Sequence, residues 1–585
     1  MTSSETRDPF RIEKVPFTPS TVAVLKRGVD PKHVDWPVVY TLADSREIYV
    51  GESLNVGNRL GQHLETAGRR HLGTARIVIG EDFNKSVCLD LESMLIKWFA
   101  GDGRFTPLNR NAGVVDADYF DRARYRETFE DIFEQLRAEG LFSKSIAEIQ
   151  NSDLFKLSPF KALNADQSAI VEAILDQIFD DIEAERPARM VIQGEPGTGK
   201  TVVAIYLLKV LADIRASDNT LAHEEHSPLA EFFVPGHAEL LTDFRVGLVI
   251  PQQSLRASVR QVFRKTPGLD PKVVLSPFEA VTYARKHGPF DLLVVDEAHR
   301  LNQRAPQAAG PLNGMFRDNN VHLFGHDDAE YTQFDWINKI STHQLYLVDG
   351  AQAVRPADVA PETLNAVVEG ARVDRRLYRL SSQMRVAAGQ DYVGYIRQVL
   401  AGEPIEPQQF PGYDLRFFDD LGAMHDAIRE RDAEHGLARL LAGYCWSWAS
   451  KNDKSAIDIE LDGQRLQWNQ APTDWVHSPG SLEQVGSIHT IQGYDLNVAG
   501  VVIGPDLYFD PAAGRVVFDR NAYKDPRGMT SNRQRGITYT DDDIAVFVRN
   551  IYAVLLTRGM LGTYVYVCDP ALREYLRPHF VNTLS

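Results

Sequence analysis

Met190-Val-Ile-Gln-Gly194-Glu-Pro-Gly-Thr-Gly-Lys200-Thr201 decides how the rest of the chain is read. Its first residues are apolar and β-branched, as in a buried strand. The remainder fits a glycine, four residues, then Gly-Lys-Thr, the pattern of a phosphate-binding loop. Val202 to Leu211 follows with apolar residues at helical spacing. Strand, loop and helix in that order gather backbone N–H groups and a helix N-terminus around one point, which is a cradle for phosphate. Gly194, Gly197 and Gly199 let the loop turn around Thr198. Lys200 is expected on the β and γ phosphates of ATP, and Thr201 on Mg2+.

Downstream, Pro289-Phe-Asp-Leu-Leu-Val-Val295-Asp296-Glu297-Ala-His299 is a buried strand ending in two adjacent carboxylates. After a phosphate loop, that pattern expects Asp296 on Mg2+ through water and Glu297 on the attacking water. Gln344 to Val348 followed by Asp349-Gly-Ala-Gln352 repeats the design, and Gln352 is expected to sense the γ-phosphate. Val246 to Ile250 is another strand, ending in Pro-Gln-Gln-Ser254. Upstream, Gln167 suits adenine, because an amide can donate to N7 and accept from N6. Between about Asp213 and Asp243 the chain is polar; His223, His226 and His237 are too loosely spaced for a metal site, so this reads as a surface insertion.

A second α/β unit starts around Leu380, with Gln383-Met-Arg385 at its head. Leu441 to Trp448 reads as a strand and Asp458 to Trp468 as a hairpin. Four of the seven Trp fall within 446–475, where core packing is expected over base stacking. Ser487-Ile-His489-Thr490-Ile-Gln492-Gly493 leads into a strand at Val498–Ile503, then an insertion over 505–543 with a hairpin at Tyr508–Phe518. Leu555-Leu-Thr557-Arg558-Gly559 precedes the last strand.

Before the loop, residues 1–35 are polar with four prolines and read as an extended arm. Val38-Val39-Tyr40 and Ile48-Tyr49-Val50-Gly51, on either side of an Asp44–Glu47 turn, predict a hairpin. The helix after it carries Arg59 and His63 on one face. A later helix, about Lys85 to Phe99, carries Glu92, and Asn109 and Asn111 follow in a loop. From Tyr119 to Ile149 the apolar positions Tyr125, Phe129, Phe133 and Leu136 fit a helical connector packed on one neighbour.

With 585 residues the chain exceeds a single core. The boundaries read are 1–35 (arm), 36–115 (small α+β domain), 116–160 (connector), then α/β domains at 161–370 and 371–585. No run of 18 apolar residues predicts a membrane helix, and the N-terminus lacks a signal-peptide core. Cys88, Cys445 and Cys568 lack CxxC spacing, which argues for a reducing, cytoplasmic setting without structural zinc or disulfides. The net charge of −17 argues against general coating of nucleic acid, so binding would need a local groove. Residues 36–112 carry nine Lys/Arg and nine Asp/Glu, so the acidic excess lies elsewhere.

Taken together, the N-terminal motifs resemble the GIY-YIG nuclease family. Val38-Val39-Tyr40 stands for GIY and Tyr49-Val50-Gly51 for YIG. The resemblance puts Arg59 and His63 at the helix arginine and following histidine, Glu92 at the glutamate that binds Mg2+ or Mn2+, and Asn109 or Asn111 at the asparagine. The first glycine of the family pattern is absent. Such a site needs a cation on the leaving oxygen, a positive group on the scissile phosphate, which Arg59 could supply, and a proton acceptor, for which a tyrosine or histidine serves.

The order Gln167, GEPGTGKT, DEAH, VDGAQ, QMR, HTIQG, LTRG resembles a superfamily 1 helicase. The strings GSIHTIQGYDLNVAGVVIGPDL and LLTRGMLGTYVYVCD are similar to the DUF2075 group, akin to the Schlafen helicase-like domain. The resemblance implies two RecA-like parallel-sheet domains with ATP between them and Gln492 at the nucleotide. It also implies Arg385 and Arg558 reaching the γ-phosphate from the second domain, and Ser254, His489 and Thr490 on a nucleic-acid backbone. The expectation is an ATP-dependent DNA helicase fused to an endonuclease acting against foreign DNA. An RNA nuclease or a nucleotide-gated sensor with a binding-only nuclease-like domain is the alternative.

Overall fold

The computed structural model describes residues 9–66, 68–109, 119–161, 163–217, 229–305, 310–349, 355–381, 391–471, 474–491 and 494–580. They divide into two compact units. One holds 1–165 with 205–242 and 258–271, the other 166–204, 243–257 and 272–585.

The first unit is built on a five-stranded sheet. Its elements are β1 (Phe10–Pro16), α1 (Pro19–Lys26), β2 (Val38–Ala43), β3 (Glu47–Ser53), α2 (Val56–Glu65), β4 (Thr74–Gly80), α3 (Lys85–Asp102), β5 (Thr106–Pro107) and α4 (Arg122–Ala138). The strand order is β1-β4-β2-β3-β5. Asp44 makes the hairpin turn, its Oδ1 accepting from Arg46 N and Glu47 N at 2.6 Å each. Strand β2 is buried along its whole length. Because side chains alternate across a strand, Val39 enters the core with α3, while Val38, Tyr40 and Leu42 enter the core with α2. On α4, Phe129, Ile132, Phe133 and Leu136 fill the α3-side core, the one-sided packing expected of the connector.

The stretch read as an extended arm holds a strand and a helix: Phe10–Pro16 pairs antiparallel with β4 from Phe10↔Gly80 to Pro16↔Thr74, and Val22 and Leu25 of α1 are buried. The prolines that suggested an open arm sit where they are harmless, at the end of an edge strand and at a helix N1 position.

In the second unit, β6 (Ala188–Gly194), β7 (Val246–Val249), β8 (Val274–Leu275), β9 (Phe290–Val295), β10 (Ser341–Val348) and β11 (Leu377–Leu380) form a parallel sheet in the order β11-β6-β10-β9-β7-β8. Its strands are apolar runs covered on both faces, as parallel strands are. Strand β11 pairs with β6 through Leu377↔Val191 to Leu380↔Gly194, so the first sheet runs past the boundary read at 370. A four-residue strand, Leu-Tyr-Arg-Leu, has no local signal saying which sheet accepts it. A second sheet follows from β12 (Asp414–Phe418), β13 (Ala438–Ala442), β14 (Ile459–Leu461), β15 (Gln464–Trp468), β16 (Gln484–Gly486), β17 (Leu496–Ile503) and β20 (Gly559–Val567). Its order is β12-β20-β17-β13-β16-β15-β14, parallel except for the β14–β15 hairpin. The predicted hairpin in the insertion is β18 (Leu507–Asp510) with β19 (Arg515–Phe518). Trp468 and Trp475 are buried, as core packing required. The fold is therefore a small α+β domain followed by two RecA-like parallel-sheet lobes.

Candidate active sites

In open parallel sheets, ligands are met at the carboxyl ends of the strands. The phosphate loop leaves β6, Asp296 and Glu297 leave β9, and Asp349 leaves β10, on three strands adjacent in the sheet. Gly197 and Gly199 have φ of +88° and +81°, a region that L side chains avoid, which is why the loop needs glycine there. Lys200 is buried, its Nζ donating to Gly194 O at 2.7 Å and to Glu195 O at 2.8 Å. Thr201 Oγ1 donates to Asp296 Oδ2 at 2.7 Å. Residues 95 positions apart are thus joined in the pairing needed to hold a cation. Gln167, also buried, donates its Nε2 to Thr198 O at 2.9 Å, so its amide braces the phosphate loop.

The two carboxylates differ. Burial, with the adjacent Glu297, pushes the Asp296 carboxyl up to about 6. Burial also opposes charge on Glu297, but His299 with its Nε2 at 3.2 Å, and then Lys200 and Arg558, outweigh it and hold that carboxyl well below the usual range. Glu297 adopts φ of 51°. A left-handed non-glycine residue costs roughly 1–2 kcal/mol, and here it aims a carboxylate away from its strand. Arg558, at the foot of β20 in the second lobe, is buried and donates from Nη1 to Tyr494 O at 3.4 Å. Gln352, Arg385 and Gln492 lie outside the described residues.

A cavity of about 1060 Å3 opens in the same unit, lined by Gln252, Ser254, Arg256, Lys286, Arg355, His489 and Arg527 among others. It brings together the loop after β7, the segment after β10 and the second lobe. Its charged wall is mostly cationic, with Glu279 3.7 Å from Arg256. Both ends of the Gln252 amide are buried without a hydrogen-bond partner among the described residues. Ser254 and His489 line this groove. Thr490 instead turns inward, its Oγ1 accepting from Ser487 N at 3.0 Å. The segment following β19 crosses beside the groove to the first lobe. There Asn532 Nδ2 donates to Arg304 O at 2.9 Å, Arg535 Nη1 to Gln303 Oε1 at 2.8 Å, and Tyr539 Oη to Pro356 O at 3.2 Å. The sequence pointed neither to Gln252 nor to this strap, because both depend on contacts distant in the chain.

The first unit holds the other candidate site. Tyr40 and Tyr49 project from the α2 face of the hairpin with ring centroids 6.2 Å apart. Tyr40 pairs in register with Gly51, where a Cβ would stand 2.4 Å from Tyr40 Oη. That close approach is the physical reason for the last glycine of the motif. Val38, at the position of the missing first glycine, is fully buried in the α2-side core, so the departure is absorbed by packing. The Arg59 guanidinium interacts with both tyrosine hydroxyls.

His63 Nε2 is 2.7 Å from Tyr40 Oη, and Arg69 Nη1 is 3.0 Å from His63 Nδ1. An arginine only donates, so Nδ1 accepts, and the proton of the neutral imidazole sits on Nε2 and is donated to Tyr40 Oη. Burial, then Arg69 and Arg59, lower the His63 pKa to about 3, so the ring is neutral. With both nitrogens committed, His63 orients Tyr40, and Tyr40 is left as the group able to exchange a proton with a ligand. Burial and the neighbouring Tyr49 raise the Tyr40 hydroxyl well above its usual range, against the pull of Arg59. Arg69, which also stacks 3.9 Å from the Tyr49 ring centroid, was not identifiable in sequence because it follows the helix in an irregular segment.

Glu92 on α3 is half-buried, and its charge reaches both Tyr40 and the buried thiol of Cys88. Glu52, also within reach of Cys88, has Lys85 Nζ 3.3 Å from its Oε1, while its Oε2 is buried without a hydrogen-bond partner among the described residues. Glu92 and the unsatisfied Glu52 oxygen are hard, anionic donors of the kind a divalent cation takes. Asn109 pairs its amide with the backbone of Val50, Oδ1 accepting at 3.1 Å and Nδ2 donating at 2.8 Å, which fixes the strand. Asn111 lies outside the described residues. No helix among the described residues is long and apolar enough to cross a membrane.

Known proteins resemble both parts of the chain. Residues 37–104 match the GIY-YIG catalytic domain. An uncharacterised protein of Saccharomyces cerevisiae, YPL245W, is 27% identical over 454 residues, covering 71% of this chain and 91% of the relative. Among solved structures, Pif1 helicase from Candida albicans has a TM-score of 0.26 at 11% identity, covering 69% of this chain and 94% of that one. A Bacteroides Pif1 bound to ssDNA has 0.25 at 8%, covering 69% and 92%. Residues 187–569, well over half of the chain, match the family described as Schlafen group 3, DNA/RNA helicase domain, and the chain belongs to that family.

Proposed function

We propose that the chain is an ATP-driven DNA helicase or translocase joined to a metal-dependent GIY-YIG endonuclease. The observation that carries the motor half is the meeting of Lys200, the Thr201–Asp296 hydrogen bond, Glu297 and Arg558, brought from three strand ends in two sheets. In this reading Lys200 and the loop amides hold the β and γ phosphates of ATP, and Gln167 serves the adenine end. Thr201 and Asp296 would hold Mg2+, which would offset the phosphate charge. Glu297 accepts the proton of the attacking water. Arg558 stabilises charge developing on the γ-phosphate, as does Arg385, with Gln352 and Gln492 completing the nucleotide contacts. An arginine from the opposite lobe acts only when the lobes meet, which couples cleft closure to hydrolysis. The basic groove takes the single strand, with Gln252, Ser254, Arg355, His489 and Arg527 on its backbone.

At the nuclease site Arg59 holds the scissile phosphate, and Tyr40, oriented by the Nε2–H of His63, takes the proton of the attacking water as its phenolate, having first released its own proton to solvent under the pull of Arg59. Tyr49 and Arg69 fix the geometry around them. Glu92, with Glu52, would hold Mg2+ or Mn2+, which would offset charge on the leaving oxygen. The setting, cleavage of foreign DNA in the cytoplasm, follows from the pairing of a nuclease with a motor and from three free cysteines.

The test is a pair of single substitutions in the full chain. Lys200→Ala should lower ATP turnover by at least ~100-fold. Glu92→Ala should remove metal-dependent cleavage by a similar factor and leave ATP turnover intact. Full activity in Glu92→Ala would mean that the nuclease-like domain only binds. Preferential cleavage of RNA would select an RNA-directed enzyme, and absence of cleavage on any DNA or RNA would end the nuclease half of the proposal.

A further inference from the structure

The cleft between the two sheets contains an arginine outside every motif. Arg397 lies on the helix Asp391–Ala401, which belongs to the second lobe: Tyr392, Tyr395, Ile396, Val399 and Leu400 are all part of that core. Its guanidinium nevertheless faces the first lobe. Nη2 is 3.6 Å from Asp349 Oδ1, and Nη1 is 3.9 Å from the Glu195 carboxylate in the phosphate loop. Asp349, only 3% exposed at the end of β10, also has its Oδ2 3.9 Å from Lys200 Nζ. Two cations from opposite lobes therefore flank one buried carboxylate. Lys200 is the group that meets the terminal phosphates in a loop of this type, and Arg397 stands across a single carboxylate from it.

We propose that Arg397 is an additional cross-cleft arginine that binds the terminal phosphate of the nucleotide, kept within reach by Asp349 and Glu195. This rests on the reading of the cleft as an ATP site. A guanidinium can leave a long contact with a half-exposed carboxylate such as Glu195 at little cost, because solvent screens exposed ion pairs. A phosphate oxygen offers it a stronger, bidentate partner. The buried Asp349 keeps the side chain aimed at the loop throughout. Because the contact is with the last phosphate, Arg397 distinguishes the triphosphate from the diphosphate.

Equilibrium binding of fluorescent ATP and ADP analogues to the full-length chain tests this. Arg397→Gln should weaken ATP by about tenfold and ADP by less than about twofold. Arg397→Lys keeps the charge but loses the planar fork, so the ratio of ATP to ADP affinity should fall by an intermediate factor, and it carries the test if the glutamine variant does not fold. Equal loss for both nucleotides, or an unchanged ratio in both variants, overturns the role of Arg397. If the wild-type chain binds neither nucleotide, or Lys200→Ala changes neither affinity, the reading of the cleft fails and the inference falls with it.

Discussion

In the proposed reading the two candidate sites deal with the same kind of group, a phosphate, by opposite means. The cleft site relies on formal charge: a buried lysine, a buried and a partly exposed carboxylate side by side, and an arginine brought from a second sheet. The hairpin site relies on neutral aromatic groups: two tyrosines and a histidine kept uncharged, with arginines at their edges. The cleft site tolerates buried charge because the helix N-terminus after the loop and opposite charges from neighbouring strand ends supply partners for each ion. The hairpin site instead buries a Tyr–His pair whose protons are assigned by one external donor, Arg69. In the first, function depends on pairing between ions far apart in sequence. In the second, it depends on steric room and on a tautomer.

That difference can be broken most sharply at Gly51. Gly51→Ala adds one methyl at 2.4 Å from the fully buried Tyr40 hydroxyl, which has nowhere to retreat. Metal-dependent cleavage should fall by at least ~100-fold while ATP turnover stays at the wild-type rate. A small loss of cleavage would mean that Tyr40 placement is not what the site depends on.

The neutral histidine makes a second, graded prediction. The folded-state pKa of His63, about 3, lies below its unfolded value near 6.5, so the unfolded chain binds the proton first. The stability contributed by neutral burial is complete above pH ~6.5 and is lost as pH falls toward 3, at up to about 1.4 kcal/mol per pH unit. Acid titration of thermal stability in the full chain should show this slope, and His63→Gln should flatten it. An unchanged slope in the variant would mean that His63 is not the titrating group. Cleavage, in contrast, should show no step near the ordinary histidine pKa.

The smallest effect is expected at the strap. Asn532→Ala combined with Arg535→Ala removes the hydrogen bonds to Arg304 and Gln303, on the segment that follows Glu297. Stimulation of ATP turnover by a single strand should drop by roughly threefold to tenfold with the unstimulated rate preserved, a coupling of about 1 kcal/mol. Equal loss of both rates would make the strap a scaffold for the fold and not a link between groove and cleft.

The sequence alone determined the local devices. Backbone-encoded features were legible because their signal is short-range: a glycine loop between strand and helix, apolar runs ending in carboxylates, and tyrosines alternating along a hairpin. Tertiary structure decided the pairings. It put Thr201 on Asp296, turned Gln167 toward the loop backbone, assigned the proton on His63 through Arg69, and drew Phe10–Pro16 into a sheet as an edge strand. It also placed Leu377–Leu380 in the first sheet and Arg397 beside the phosphate loop. Such facts are set by which distant surfaces meet when the apolar faces are buried, and a chain read residue by residue carries no term for that meeting.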